Sequence, residues 1–343
     1  MARRLALVTP YASSSVRGNA VTVERIARGL RALGADLEVW DLSAMAPAVI
    51  ERRASDYRPG LVHAFHAYRA GPLGLRLARR VGCPLVVTLT GTDANLDLID
   101  ADRGPAVRQV LEGATAVTAF HESVAATVAQ VAPEIAGRIV IVPQSVDMQD
   151  PTPPDKPAPI ARGPVMLFPA GIRPVKRTLF PLAPLDSVAA RYPGFELRYV
   201  GPILDATEGE ALLRALRGRQ WARRVGEVPH AAMGALLRGA DIVINCSLSE
   251  GGMANSVLEA LACGRAVLAS DIEGNRSVIE HGVTGLLFRD AGDFTASTIR
   301  LLGDPALRER LGETGRARVS RFGLQQEIER YVKLYASLEP GCL

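Results

Sequence analysis

Two glutamates flank a glycine-rich turn in the second half of the chain. Glu250 precedes Gly251 and Gly252, and Glu259 lies one turn into a predicted helix that opens near Asn255. A turn that opens a helix presents backbone N–H groups and the positive end of the helix dipole, which together suit a phosphate. A carboxylate on each side suits sugar hydroxyls, because an ionised carboxylate accepts hydrogen bonds through both oxygens. The stretch therefore predicts a site for a diphosphate with a sugar on each side, as in a nucleotide sugar.

Two cations precede this turn in the chain. Arg173 and Lys176 follow a predicted strand and precede a helix, which is expected at the edge of a sheet. A departing nucleoside diphosphate develops negative charge on its β-phosphate, and fixed cations there would stabilise the transition state more than the ground state. Lysine occurs only at positions 156, 176 and 333 in a chain rich in arginine, which favours a specific role for Lys176. The alternative is a pair of solvated surface cations.

The composition is typical of a protein with two ordinary domains. The chain has 343 residues, of which 48% are hydrophobic and 22% are charged, enough to bury two cores. The net charge of +4 is small, and no run of basic residues alternates with aromatics, so we expect anionic ligands rather than nucleic acid. No apolar run approaches the ~20 residues that cross a bilayer, and the four cysteines form no Cys-x-x-Cys pair. These features predict free thiols, no transmembrane segment and a cytoplasmic location.

Short apolar strands alternate with amphipathic helices along the chain. Near-continuous apolar strands separated by helices indicate parallel sheets that are covered on both faces. A proline-rich stretch interrupts the alternation after position 148, because proline disfavours both helix and inner strand. Strands are predicted at 5–9, 37–40, 61–64, 84–89, 116–120 and 139–142, and then at 165–168, 196–200, 242–244, 266–269 and 286–288. The first helix is predicted at 19–33 and the last at 324–338.

This pattern predicts the α/β fold class, with two Rossmann-like, doubly wound parallel-sheet domains that face a central cleft. The domains are expected at 1–148 and 164–322, joined by the proline-rich linker at 149–163. The segment 323–343 is expected to form a helix that crosses back to the first domain. Ligands of such domains bind at the carboxyl ends of the strands.

These residues resemble glycosyltransferase family 4, a family of retaining nucleotide-sugar transferases with the GT-B fold. The resemblance covers nearly the whole chain and is strongest from position 167 to 288. The chain is similar to glycosyltransferase-1-domain-containing proteins and to selenosugar synthases, and its segment 278–288 fits the first subgroup better. The motifs that carry the resemblance are GNAVT at 18–22, LTGTD at 89–93, GIRPVK at 171–176, GEVP at 226–229, SEGG at 249–252 and GN at 274–275.

In the second half of the chain, the resemblance implies a role for each motif. Arg173 and Lys176 would contact the leaving diphosphate, Glu259 would accept hydrogen bonds from the ribose hydroxyls, and Glu250 would orient the donor sugar. The loop and helix start would meet the sugar and the phosphates, and the segment 226–229 would lie against the base. Residues implied in these further contacts are Gly251, Gly252, Met253, Asn255 and Ser256 in the loop and helix start, and Glu227 and Val228 beside the base. The chain has eight residues between the two glutamates, one more than the usual family pattern.

The first half would complete the site. Gly18 opens the first helix, where a glycine lets a diphosphate approach the backbone, and Asn19 follows it. His66 with Arg69 matches the two subgroups, which implies that they face the donor sugar or the acceptor. A buried structural histidine is the alternative for His66.

The loop at 89–93 departs from the family, because many members carry a histidine where this chain has Thr90. Asp93 is the nearest ionisable group and is interpreted either as the group that orients or deprotonates the acceptor or as a helix cap. Other histidines, at 121, 230 and 281, are interpreted as structural or exposed.

We therefore predict a retaining, metal-independent glycosyltransferase that uses a UDP-sugar, binds it in the second domain and binds the acceptor in the first. No cofactor is expected, and no His/Asp/Glu cluster has the spacing of metal ligands. One alternative is a selenosugar or thiosugar synthase that couples a UDP-sugar, such as UDP-GlcNAc, to selenophosphate or a sulfur analogue, with Arg17 and Arg69 beside the anionic acceptor. Another is a nucleotide-sugar-binding protein with little turnover. A nicotinamide dehydrogenase is disfavoured, since no G-x-G-x-x-G follows the first strand.

Overall fold

The apolar strands form two parallel sheets of six strands each. The computed structural model describes residues 4–11, 18–146 and 163–340, and these form two compact units. Unit 1 takes its described residues from Met1–Ser145, Gly251–Met253 and Phe322–Leu343, and unit 2 takes its own from Val146–Glu250 and Ala254–Arg321. The predicted linker at 149–163 lies outside the described residues, apart from Gly163. The predicted α/β fold class, with two parallel sheets, is confirmed.

The sheet of unit 1 is buried on both faces. Along its first strand, Leu5 and Leu7 pack in one hydrophobic core, whereas Ala6 and Val8 pack in a second core on the other face. This alternation follows from the period of two in a strand, and it explains why the strand is apolar throughout. The strand order is β2-β1-β3-β4-β5-β6. The strands are β1 (Leu5–Thr9), β2 (Leu37–Asp41), β3 (Leu61–Phe65), β4 (Leu85–Thr88), β5 (Ala116–Ala119) and β6 (Ile139–Ile141).

Helices cover both faces of this sheet. The helices of unit 1 are α1 (Gly18–Ala32), α2 (Pro47–Tyr57), α3 (Gly71–Val81), α4 (Gly104–Gly113), α5 (Glu122–Val131) and, at the end of the chain, α13 (Leu324–Leu338). A π-helical turn at Asp93–Asp97 and a 3-10 turn at Pro133–Arg138 complete the unit.

The last helix, α13, fills one of the two cores of unit 1. Its Ile328 packs so closely on α1 that a Cβ added to Gly29 would lie 2.4 Å from the Ile328 Cγ1 atom. Beside this contact, Arg25 of α1 donates two hydrogen bonds, of 2.9 and 3.0 Å, to the carboxylate of Glu327. Both side chains are buried, and Ser145 Oγ donates a further hydrogen bond of 2.5 Å to the same carboxylate. The first and last helices of the chain are therefore joined by a bidentate ion pair inside the unit.

A buried histidine links α13 to the sheet. His63, in β3, is fully buried, with Nδ1 2.6 Å from the Tyr335 hydroxyl and Nε2 2.6 Å from the Thr88 hydroxyl. Burial lowers the pKa of His63 to about 3, because the charged imidazolium would lose its hydration. His63 is therefore a neutral structural residue near pH 7.

The sheet of unit 2 has the order β12-β11-β10-β7-β8-β9. Its core is a continuous cluster that includes the stacked rings of Phe180 and Phe288 and the edge-on ring of Phe294. The strands are β7 (Val165–Pro169), β8 (Glu196–Val200), β9 (Ala222–Gly226), β10 (Ile242–Asn245), β11 (Ala266–Ser270) and β12 (Leu286–Phe288). The helices are α6 (Leu182–Arg191), α7 (Ala206–Leu216), α8 (His230–Arg238), α9 (Asn255–Ala262), α10 (Glu273–Arg276), α11 (Ala291–Gly303) and α12 (Pro305–Val319), with a 3-10 turn at Pro174–Lys176.

Strand β9 was not among the predicted strands. It lies at the edge of its sheet, and its exposed Arg223 pairs with Glu196 of β8. Charged side chains are common on edge strands because they discourage pairing with other chains. The strand consequently lacks the apolar run by which the inner strands were recognised.

We expect Glu327→Ala to lower the free energy of unfolding by about 3–5 kcal/mol, because Arg25 would stay buried without its carboxylate. Urea denaturation would measure the change. Glu329→Ala, an exposed glutamate on the same helix, is the matched control and should cost less than about 0.5 kcal/mol. Equal effects of the two substitutions would contradict the structural role of the buried ion pair.

The neutral state of His63 predicts a pH dependence of stability. Since the pKa is about 3 in the folded protein and ordinarily about 6.5 in an unfolded chain, the unfolded state binds more protons between these values. Stability should therefore fall as the pH drops below about 6.5, by up to about 1.4 kcal/mol per pH unit from this group. Denaturation of the wild type and of His63→Gln from pH 5 to 7.5 tests this. The variant should lose that part of the slope, and an unchanged slope would refute the assignment.

Candidate active site

The strand order of unit 2 reverses between β7 and β10. The chain runs outward from β7 through β8 to β9 and then resumes on the other side of β7 at β10. Loops that leave the carboxyl ends of two such strands diverge and open a crevice, where doubly wound folds bind their ligands. Lys176 lies in the loop after β7, and Glu250 lies in the loop after β10. The topology therefore brings the predicted cation and the predicted carboxylate to one crevice.

Lys176 and Glu250 form an ion pair in this crevice. The Lys176 Nζ atom lies 2.6 Å from Glu250 Oε1, and their side chains are only 15% and 11% exposed. The same oxygen accepts hydrogen bonds from Ser247 Oγ at 2.6 Å and from Asn245 Nδ2 at 3.0 Å. Burial by itself raises the pKa of Glu250, but the charge of Lys176 and these hydrogen bonds outweigh it, so the pKa lies below its usual value. Glu250 is thus ionised, and both groups are held in one geometry.

Asn245 is a site residue that the sequence analysis did not single out. Its Oδ1 accepts the backbone N–H of Ser247 at 3.0 Å, which fixes the amide so that its NH2 group faces Glu250. Asn275, from the GN motif, donates to the Ser270 carbonyl at 2.9 Å and to Asn245 Oδ1 at 3.4 Å. The signal for Asn245 in the sequence is a polar residue at the end of an otherwise apolar buried strand.

Arg173 lies in the same loop as Lys176. It is half-buried and directly precedes the 3-10 turn, in which the Lys176 N–H donates to the Arg173 carbonyl at 3.0 Å. The N–H of Leu248 donates to the Val175 carbonyl at 2.9 Å, so the loops after β7 and β10 are joined through their backbones. The two predicted phosphate cations are therefore near neighbours on a loop that is fixed to the loop of Glu250.

Helix α9 begins at Asn255, at the position predicted for the helix start. Asn255 and Ser256 are half-buried in its first turn, at the positive end of the helix dipole. Glu259 follows one turn later, and its Oε1 lies 2.8 Å from Nε2 of His230. The interpretation of His230 as structural or exposed is incomplete, because this exposed histidine bonds directly to a predicted ribose ligand.

The segment predicted to lie against the base leads to this histidine. Gly226 ends β9 in the left-handed region, with φ of 103°, and Glu227 and Val228 then run to His230, the first residue of α8. Glu227 is exposed and Val228 is half-buried. The structure thus brings the segment predicted to contact the base close to the glutamate predicted to contact the ribose, at the carboxyl edge of unit 2.

In unit 1, Gly18 and Asn19 begin α1, one residue earlier than predicted. The Asn19 side chain donates to the hydroxyl of Thr90 at 3.3 Å. The helix start therefore adjoins the loop in which threonine replaces the family histidine.

Asp93 was predicted either to orient or deprotonate the acceptor or to cap a helix, and the structure shows how its carboxylate is held. Its carboxylate is fully buried and accepts backbone N–H groups from Ala67 at 2.8 Å, Thr90 at 2.9 Å, Gly91 at 2.8 Å and Ala94 at 3.2 Å. Carboxylate oxygens that already accept four amide hydrogens are poorly suited to take a proton from a substrate. Asp93 is the first residue of the π-helical turn, and its carboxylate joins the loops after β3 and β4.

His66 is buried directly after β3, with a backbone φ of 85° that non-glycine residues rarely adopt. Its Nδ1 accepts the N–H of Arg69 at 3.3 Å, so Nε2 carries the hydrogen toward the Thr92 hydroxyl at 3.0 Å. Arg69 is exposed, and its guanidinium donates to the Tyr11 hydroxyl at 3.1 Å. Both predicted residues therefore lie at the carboxyl edge of the unit 1 sheet, but only Arg69 reaches the surface.

The glycines at 251 and 252 belong to unit 1 together with Met253. A Cβ added to Gly251 would lie 2.3 Å from the Thr90 carbonyl oxygen, so only glycine fits there. Met253 is buried, and its carbonyl accepts a hydrogen bond of 2.9 Å from Gln144 Nε2. Packing against the loop of Thr90 thus requires a glycine at 251, whether or not a sugar approaches it as predicted.

Two family models match successive parts of the chain. The model described as Glycosyltransferase Family 4 matches residues 40–150, and the model described as Glycosyl transferases group 1 matches residues 163–304. The chain is also 26% identical over 334 residues to the Xenopus tropicalis glycosyltransferase 1 domain-containing protein 1, covering 94% of this chain and 95% of that protein.

The chain is a glycosyltransferase that resembles family 4.

Another relative of this glycosyltransferase is a D-inositol 3-phosphate glycosyltransferase of Geodermatophilus obscurus, 27% identical over 347 residues, with 92% of this chain and 76% of that protein covered. Among solved structures, sucrose-phosphate synthase from Thermosynechococcus elongatus matches with a TM-score of 0.84 and 20% identity, covering 98% of this chain and 99% of that one. Anabaena HepE in complex with UDP-glucose matches with a TM-score of 0.79 and 17% identity, covering 98% and 100%. At these identities the structural matches establish the fold, which is GT-B.

Within the described ranges, the glycosyltransferase has no group of three or more His, Cys, Asp or Glu residues placed to hold a metal ion. A separate search of the same residues finds no helix with the length and apolar character needed to cross a membrane. The cytoplasmic location stays a prediction.

We expect Lys176→Met to lower the free energy of unfolding of the glycosyltransferase by about 2–4 kcal/mol, because Glu250 would stay buried without its cation. The double variant Lys176→Met/Glu250→Gln should recover part of this loss, since no buried charge is left unpaired. Chemical denaturation at pH 7 is the measurement, with the exposed Lys333→Met as the matched control. If the double variant is no more stable than Lys176→Met, the two groups are not coupled.

Proposed function

We propose that this glycosyltransferase takes a UDP-sugar in unit 2 and moves the sugar, with retention of configuration, to an acceptor bound by unit 1. The observation that carries the proposal is the ion pair of Lys176 and Glu250, only 15% and 11% exposed, at the reversal of the strand order. A cation and a carboxylate fixed there beside a helix start match the charges and hydroxyls of a sugar diphosphate.

Each group of the crevice has a distinct task in this proposal. Lys176 and Arg173 neutralise the charge that develops on the departing β-phosphate, assisted by the first N–H groups of α9. Glu259 accepts hydrogen bonds from the ribose hydroxyls, and Glu250 accepts a hydrogen bond from a hydroxyl of the transferred sugar. Because Lys176 also bonds to Glu250, the sugar and the phosphate are oriented by one connected set of side chains. These roles of the side chains were implied by the family resemblance, and their spatial arrangement supports them.

Uridine is proposed as the base of the donor from a structural neighbour and from the segment 226–228. The similar Anabaena HepE binds UDP-glucose. In this chain, the segment 226–228 leads to His230, whose side chain bonds to Glu259, and the backbone of Glu227 and Val228 could offer N–H and C=O groups to a base. A donor with another base would leave the other assignments intact.

We propose front-side displacement as the mechanism. The bond between the anomeric carbon and the diphosphate oxygen breaks, and the acceptor oxygen bonds to the same face of that carbon. The acceptor proton passes to the departing phosphate. The two acidic side chains considered for direct catalysis are already engaged, Glu250 with Lys176 and Asp93 with backbone amides. Neither is therefore suited to form a covalent glycosyl intermediate, and a trapped intermediate would contradict this step.

The positive groups of the crevice support catalysis without a metal ion or cofactor. Divalent ions serve other transferases by neutralising the diphosphate. Here Arg173, Lys176 and the α9 dipole can supply that positive charge. Full activity after treatment with a chelator is the expected result.

A second candidate function has one observation in its favour. Arg69 is an exposed cation at the carboxyl edge of the unit 1 sheet, and its guanidinium lies 5.9 Å from the centre of the Tyr11 ring. An oriented cation suits an anionic acceptor such as selenophosphate or thiophosphate, which would make the protein a selenosugar or thiosugar synthase. Arg17, the other cation considered for this acceptor, lies outside the described residues.

The test is nucleotide release from UDP-, GDP-, ADP- and dTDP-sugars, with and without selenophosphate or thiophosphate. We expect release from a UDP-sugar, reduced about 10- to 100-fold in Glu259→Ala, because the ribose loses a charge-assisted hydrogen bond. Glu210→Ala, which removes an exposed glutamate of α7, is the matched control and should behave as the wild type.

The other outcomes separate the candidates. Strong stimulation by selenophosphate or thiophosphate would favour the second candidate function. Release from a GDP-, ADP- or dTDP-sugar alone would overturn the choice of uridine. Binding of a nucleotide sugar by folded protein without any release would indicate a nucleotide-sugar-binding protein.

A further inference from the structure

His230 makes a contact that the proposed reaction does not yet use. Its Nε2 atom lies 2.8 Å from Glu259 Oε1, and the side chains are 40% and 12% exposed. An ionised carboxylate only accepts hydrogen bonds, so the hydrogen must be on Nε2. The carboxylate of Glu259 is thus fixed at one oxygen by a side chain from a different helix.

The local fold brings the histidine to this point. Strand β9 ends at Gly226, whose φ of 103° turns the chain, and Pro229 caps α8 without a side-chain hydrogen bond. His230 is the first residue of α8, whereas Glu259 lies in the middle of α9. The two helices are direct neighbours, and the hydrogen bond joins the first residue of α8 to the middle of α9.

We infer that His230 is a positioning residue of the ribose subsite, which holds the carboxylate of Glu259 in the orientation that receives the ribose hydroxyls. This inference rests on the proposed function, because it assumes that Glu259 binds ribose. A long glutamate side chain that is half-buried loses rotamer freedom when it binds a ligand. A histidine that fixes the side chain beforehand removes part of that cost, so its effect should be confined to ligands that have the ribose hydroxyl.

The experiment compares UDP with 2′-deoxy-UDP by isothermal titration calorimetry. For His230→Ala we expect UDP affinity to fall about tenfold and 2′-deoxy-UDP affinity to fall less, because only its 3′-hydroxyl can still bond to Glu259, so that the preference for UDP is reduced. His230→Gln, whose amide nitrogen can replace Nε2 as a donor, should retain most of the preference. His281→Ala removes an exposed histidine elsewhere in unit 2 and is the matched control.

Glu259→Gln and the double variant His230→Ala/Glu259→Gln complete a cycle. If His230 acts through Glu259, the double variant should bind UDP no more weakly than Glu259→Gln alone. Equal losses for UDP and 2′-deoxy-UDP in His230→Ala, or multiplicative losses in the double variant, would overturn the inference. Such results would assign His230 to folding or to a direct ligand contact.

A ligand-free measurement separates failure of this inference from failure of the proposed function. The ¹⁵N spectrum of the His230 imidazole should report the Nε2–H form in the wild type and a mixture of forms in Glu259→Gln. A spectrum that does not respond to Glu259→Gln would refute the pairing itself. A response in protein that binds no nucleoside diphosphate would leave the pairing intact and refute the proposed function.

Discussion

The ion pair between Lys176 and Glu250 is the constraint on which the candidate site of unit 2 depends. The two side chains are only 15% and 11% exposed, so each charge is stabilised by the other, and Ser247 and Asn245 donate hydrogen bonds to the carboxylate. The loops after β7 and β10 must then lie side by side, which the backbone bond from Leu248 to Val175 secures. A cation and a carboxylate, both largely shielded from solvent, thus lie together where the strand order reverses.

Unit 1 depends on the end of the chain to complete its core. Buried polar groups hold the last helix in unit 1. Arg25 of α1 makes a bidentate contact with Glu327, and His63 of β3 contacts Tyr335. Asp93 acts in the same way on a smaller scale, because one carboxylate gathers the amides of two loops. The polar groups inside unit 1 therefore fix the backbone at the carboxyl edge of its sheet, where Gly18, His66 and Arg69 lie.

Sequence reasoning succeeded where apolar periodicity or residue type determines the outcome. The inner strands are apolar because both faces of a parallel sheet are covered, and the start of α9 at Asn255 was predicted from the glycine-rich turn before it. The ion pair of Lys176 with Glu250 was not predicted. Sequence reasoning failed where the outcome depends on the three-dimensional arrangement of the residues rather than on their pattern along the chain. The exposed, charged β9 has no apolar signal, the four amides that occupy Asp93 come from two loops, and the contact of His230 with Glu259 joins residues 29 positions apart. Asn245, by contrast, could have been recognised from the sequence, because it is a polar residue at the end of a buried apolar strand.

A crystal structure with UDP bound would test the central claim, that the nucleotide occupies the carboxyl edge of unit 2, most directly. We expect the diphosphate to lie within hydrogen-bond distance of Lys176 Nζ and of the first N–H groups of α9, and the ribose hydroxyls to donate hydrogen bonds to Glu259. A nucleotide at the opposite, amino-terminal edge of that sheet, in the cavity lined by Asp241, Arg265 and Arg308, would contradict it. So would a diphosphate that makes no contact with Lys176.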